Sequence, residues 1–103
     1  MADVVELAYV HADPPTMVAQ AMSAALGVTL SLRESLYRGG EYFYAELPDG
    51  TALRVQHNVD LDELAEPAYA DAATVVYASM PRWAAATVGA LLRRIDLVPV
   101  IVD

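Results

Sequence analysis

The stretch of this chain richest in reactive side chains is HNVDLDELAEPAYAD, residues 57 to 71. There His57 and Asn58 precede five acids, Asp60, Asp62, Glu63, Glu66 and Asp71, with no Lys or Arg among them. Carboxylates at alternate positions after an Asn are how calcium loops begin, and a His beside acids can bind a transition metal or move protons. Spacing decides against calcium. In a loop starting at Asn58, the sixth position is Glu63, where the sharp turn needs Gly, and the twelfth is Tyr69, where a bidentate Glu is needed. A site built on His57 and Asp60 would need ligands from a second segment, and the only other His is His11. No metal and no cofactor is therefore expected.

The same residues have a structural reading. Asp60 as N-cap and Glu63 three positions on make a capping box, and Pro67 ends the turn, so a short helix over Asp60 to Glu66 is predicted. Leu61 and Leu64 would anchor it to the body of the protein. Asp62, Glu66 and Asp71 are left without a structural task, and a surface carrying such charge suits a basic partner.

Other chemistries are poorly supplied. With no Cys there is no thiolate, disulfide or Cys-based zinc site, and no GxSxG elbow or ordered Ser, His and acid set is present. Gly39 and Gly40 in YRGGEY lack both the P-loop Lys and the dinucleotide-binding spacing, and read as a turn. A lone His57 on a strand of alternating character reads as a packed histidine, so no catalytic residue is assigned.

A chain of 103 residues, 56% hydrophobic and 19% charged, predicts one folded domain spanning 1–103. Fourteen acids against six bases give a net charge of −8, and every base is Arg, as a GC-rich bacterial genome would produce. Nucleic-acid binding needs a concentrated basic face, and only Arg93 and Arg94 are adjacent. The longest apolar run, Leu97 to Val102, is far short of the roughly 18 residues of a membrane span. Asp3 and Glu6 sit where an export signal carries positive charge, so a cytoplasmic location is expected.

The elements that must position these residues follow from periodicity. VVELAYV suits a strand with both faces partly covered; DPPT then starts a helix over residues 14 to 26, with Asp13 as N-cap and Gly27 closing it. Val28 to Ser35 alternates as a half-buried strand, and EYFYAEL and TALRVQHNV form a hairpin across PDG at 48 to 50. ATVVYAS is a buried strand. In the second helix, from Pro81 to Ile95, Trp83, Val88 or Thr87, Leu91 and Ile95 form the apolar stripe. LVPVIV closes the chain as a strand whose Pro99 cannot donate to a ladder, which suits an edge position or a place where that amide is not needed. This order, β-α-β-β-β-β-α-β, predicts an α+β two-layer sandwich: a mostly antiparallel sheet of five to six strands with two helices on one face, a ferredoxin-like variant.

Six tyrosines stand against one Trp and one Phe. If Phe43 faces the core, Tyr42 and Tyr44 are displayed on the open side of the sheet, where Tyr is a favoured interface anchor. The helix ending in ALG, YFYAELPDGTALRVQHNVD, and above all DGTALRVQHNVDLDEL at 49 to 64 resemble small immunity proteins of bacterial polymorphic-toxin loci, particularly of actinobacteria. That resemblance implies a non-enzymatic α+β protein that neutralises a toxin by covering its active site or an essential surface, often with acidic residues. The partner surface expected here is Asp60, Asp62, Glu63, Glu66 and Asp71, with Tyr42 and Tyr44 as anchors. Two alternatives stand beside it: a small-ligand domain or enzyme of the dimeric ferredoxin-like kind, with a pocket near His57, Tyr44 and Arg54 between sheet and helices, and a homodimer joined through the sheet face.

Overall fold

The computed structural model describes residues 3–35, 40–59 and 64–100. Among the described residues eight regular elements follow one another: β1 (Val4–His11), α1 (Pro15–Leu26), β2 (Ser31–Ser35), β3 (Gly40–Glu46), β4 (Ala52–His57), β5 (Thr74–Pro81), α2 (Ala85–Arg94) and β6 (Val98–Pro99). Short 3-10 turns lie at Pro67–Tyr69 and Arg82–Ala84. The six strands make one antiparallel sheet in the order β2-β3-β4-β5-β1-β6, so the protein is α+β. Because β5 pairs antiparallel with both β1 and β4, those two strands run in the same direction on either side of it.

Strand pleating sends alternate side chains to opposite faces. One face carries Leu7, Tyr9, Phe43, Leu53, Val55, Val76, Ala78 and Met80, and against it pack Val18 and Met22 of α1 and Val88 and Leu92 of α2. Both helices therefore share this face. Gly89 lets α2 sit close to the sheet: a Cβ there would lie 3.4 Å from the Tyr9 hydroxyl. Burial raises the Tyr9 phenol pKa above its ordinary value, with nearby Arg93 working in the opposite direction.

Helix ends differ from expectation in instructive ways. Asp13 does not cap α1. Pro14 is the N-cap, its carbonyl accepting from the amides of Met17 and Val18 at 3.0 and 3.1 Å, while the Asp13 amide donates to His11 Nδ1 at 2.9 Å. With Pro14 in extended geometry and Pro15 fixing the first helical φ, the start is set by backbone, one residue later than a side-chain cap would place it. Gly27 closes α1 at φ 67°, its amide bonding the Ser23 carbonyl at 2.9 Å. At the end of α2, Asp96 takes φ 65°, one of the few non-glycine residue types that tolerate it.

Four further expectations are corrected. Val28 to Leu30 precede β2 without joining its ladder, although Leu30 packs against the core. Pro81 ends β5, and the chain enters α2 through the 3-10 turn, so the helical stripe is rotated from the predicted one. Ala84, Val88, Gly89 and Leu92 are buried, while Trp83 is 74% exposed. Within the predicted helix over Asp60 to Glu66, residues 60 to 63 lie outside the described residues; Leu64 to Glu66 are not helical, Leu64 is exposed, and Pro67 starts a turn. Proline at the first position of a 3-10 turn is favoured for the same reason it is at N1, so it opens structure here where it was expected to close it.

Candidate functional site

Asn58 organises the stretch that follows it. It is 2% exposed, at the end of β4, and its side-chain amide donates to the carbonyls of Tyr69 at 3.0 Å, Ala72 at 3.3 Å and Glu66 at 3.5 Å. Its Oδ1 accepts from the Glu66 amide at 2.8 Å, and its own amide bonds the Ala73 carbonyl at 3.0 Å. An amide with donors and an acceptor can satisfy a loop's orphaned backbone in this way, and no other short side chain can. The residue that looked like a first calcium ligand is therefore the peg on which residues 64 to 73 hang. Glu66 is half-buried and Asp71 exposed, and neither is ion-paired among the described residues. Asp60, Asp62 and Glu63 lie outside the described residues.

His57 lies on the helix-covered face by alternation but is exposed at the sheet's end. His11 and His57 flank Thr74 in one cross-strand row, two strand spacings or roughly 10 Å apart. Among the described residues no three His, Cys, Asp or Glu side chains converge as metal ligands.

Among the described residues the opposite sheet face carries no helix. Residues directly paired across antiparallel strands share a face, so three rows can be read from the register. Arg33, Tyr42, Gln56, Val75 and Val10 form one; Ser31, Tyr44, Arg54, Tyr77 and Ala8 the next; Glu46, Ala52, Ser79 and Glu6 the third. Tyr42 and Tyr44 thus stand on this open face, with Phe43 against the core behind them. Val10, Val75 and Gln56 are buried at the end from which residues 58 to 73 depart, Gln56 to 1% exposure.

Side chains on these rows are tied together across strands. The Arg33 guanidinium lies 4.3 Å from the centroid of the Tyr44 ring, and that of Arg54 lies 4.7 Å from the Tyr77 centroid, both within cation–π range. Arg54 Nε donates to Gln56 Oε1 at 2.9 Å, which gives the buried amide its acceptor's partner. The Tyr44 hydroxyl donates to Glu46 Oε1 at 2.8 Å, and that hydrogen bond, with burial and the charge of Glu46 adding to it, raises the phenol pKa. Tyr44 is held as a neutral donor.

Beside the small residues Ala8, Ala52 and Ser79 this face has a hollow of about 550 Å³, bounded by Glu6, Tyr44, Arg54 and Tyr77 and reaching Arg93, Pro99 and Val100. Tyr44 and Arg54 line this hollow on the side of the sheet away from the core, and His57 is not among its described lining residues. Sequence reasoning missed Tyr77 and Ser79 as surface-forming residues because ATVVYAS reads as uniformly buried. Their signal was alternation: Val76, Ala78 and Met80 are on the core side, Tyr77 and Ser79 on the other. No helix among the described residues is long and apolar enough to cross a membrane. Comparison with protein families, curated proteins and solved structures finds no match to this chain.

Proposed function

We propose that this protein is a non-enzymatic binding module whose working surface is the open face of the sheet. The observation that carries the reading is a sheet face, free of helices among the described residues, that displays Tyr42, Tyr44 and Tyr77 among arginines held by cation–π and hydrogen-bond contacts. Tyr and Arg are enriched at interface cores, and side chains already held in place lose less entropy on binding. The net charge of −8 and the acids from Asp60 to Asp71 favour a basic protein as partner, neutralised by surface occlusion in the manner of an immunity protein acting in the cytoplasm. The fold reading that goes with it is ferredoxin-like: β1 and β4 are parallel with β5 between them, a split βαβ arrangement, and β2 with β3 extends the sheet as an added hairpin.

Co-expression with the protein encoded by the neighbouring gene tests this. The expected result is a complex of one copy each whose on-rate falls with salt, and whose affinity drops at least about tenfold in Y44A and in the double variant E66Q/D71N. A complex indifferent to both changes, or a stable homodimer by light scattering with no partner bound, would overturn it.

A second reading, a small-ligand domain, is favoured by one observation of its own. The hollow lined by Tyr44, Arg54 and Tyr77, at about 550 Å³, is within the range of roughly 300–1,000 Å³ typical of ligand sites.

A further inference from the structure

We infer that the free edge of β2 is a docking site for an extended segment of another protein that carries Lys or Arg two residues from an apolar side chain; this stands on the edge and not on the open face. In the sheet order β2-β3-β4-β5-β1-β6, β2 has a strand on one side only, so alternate amides and carbonyls of its backbone point outward. Among the described residues, no backbone group of Ser31 to Glu34 is bonded outside the ladder with β3. The helices pack on the other strands and leave this one bare: Ser31, Leu32, Arg33 and Glu34 are all exposed, Leu32 to 56%. The opposite edge is guarded by Pro99 of β6, which has no amide to offer. β2 has no Pro, and its register with β3 is unbroken from Ser31 to Ser35.

Charge selects the occupant. Alternation places Leu32 and Glu34 on the helix side of β2, with Phe43 and Glu41 directly opposite them on β3. Glu34 and Glu41 are thus like charges in one cross-strand pair, an arrangement that destabilises a sheet, and among the described residues neither forms an ion pair. Arg33 faces the open side and lies over the Tyr44 ring, so it leaves this pair unneutralised. A strand added at the edge sets one residue opposite Leu32 and another, two positions along, opposite Glu34, whichever way it runs. An apolar residue at the first and a cation at the second cover the exposed leucine and relieve the repulsion at once. A second copy of this chain does not supply that cation: paired antiparallel about a two-fold axis, its β2 offers only Leu32 and Glu34 on that side.

Titrating the isotope-labelled full chain with a short capped threonine peptide that carries Val and, two positions on, Lys, followed by amide NMR shifts, tests the edge; a control peptide has Glu in place of Lys. The Lys peptide is expected to shift the amides of Leu32, Arg33 and Glu34 and to bind with a dissociation constant of about 1 mM or tighter. The Glu peptide is expected to bind at least about fivefold more weakly, and in E34Q/E41Q the two peptides are expected to bind alike. L32K, a change at an exposed position, is expected to weaken the Lys peptide at least about fivefold while the unfolding midpoint stays near that of the parent. Equal binding of the two peptides to the parent, or a preference for Lys that survives in E34Q/E41Q, overturns the basic segment as occupant. Shifts at β2 that grow with protein concentration in the absence of peptide give the edge to a second copy and overturn it as well. No shift at β2 with the Lys peptide, or undiminished binding in L32K, overturns the docking site itself. The neighbouring gene's product takes no part in this titration, so the edge and the open-face reading can each fail alone.

Discussion

Replacing Asn58 by Ala gives the sharpest check on how the acidic stretch is held. The wild-type side chain makes two short hydrogen bonds, to the Tyr69 carbonyl at 3.0 Å and from the Glu66 amide at 2.8 Å, and two longer ones at 3.3 and 3.5 Å. Each net bond contributes about 1 kcal/mol, and groups left buried without partners cost more, so N58A should lose about 2–4 kcal/mol. With a urea dependence of about 1.5 kcal/mol/M, the midpoint should fall by about 2 M. Hydrogen exchange of the Glu66 amide should accelerate by at least the same free energy, because its acceptor is gone. Asn58→Asp adds a signed test. A carboxylate facing three carbonyl oxygens in a buried site has its pKa raised on folding. Protonation then favours the folded state, so relative to wild type at the same pH, N58D is least destabilised below the unfolded-state pKa and worsens as pH rises through the folded-state value. A change under about 0.5 kcal/mol in N58A, or an N58D penalty that does not grow with pH, would refute the peg.

Trp83 and Leu92 invert the usual ranking of core residues: L92A, at a site with no exposure, should cost about 2–5 kcal/mol by chemical denaturation, whereas W83A should stay within about 0.5 kcal/mol of the parent. A large loss in W83A would mean that the helical stripe is the one first predicted. Arg82 binds Asp3 through Nε at 2.6 Å, and this hydrogen bond, with the Arg82 charge, holds the Asp3 carboxyl below its ordinary pKa. Any stability it adds is present above the unfolded-state pKa and lost as pH falls through the lower folded-state value, so R82Q should raise the Asp3 pKa in an NMR titration and match the parent in acid. An unchanged Asp3 titration would remove the pair from solution.

Much of the local structure was legible because its signals act within a few residues. Pro14 and Pro15, Ala-rich spacing and Gly27 bracket α1, and PDG with Gly50 at φ 93° turns β3 into β4. Alternation around Phe43 put Tyr42 and Tyr44 on the side away from the core. Where reading failed, a local signal pointed one way and the backbone another: Asp13 was the expected cap but Pro14 holds that place, and Pro67 begins a turn where it was expected to end one. Trp83 was misplaced because helical spacing was counted from Pro81, while the 3-10 turn that follows Pro81 set the phase of the helix.

What the sequence determined by itself is the α+β class, the close of α1 at Gly27 and the PDG turn, each a matter of residue type at fixed spacing. What only the tertiary structure decided is which distant residues meet. Asn58 reaches Tyr69 and Ala72, Thr74 reaches the Asp13 carbonyl, and Arg33 and Arg54 lie over tyrosines of neighbouring strands. Those contacts depend on strand order and register, which arise from the packing of all six strands and both helices together. The hollow on the open face is their product, because no single strand contains Arg54, Tyr44, Tyr77 and Ala8.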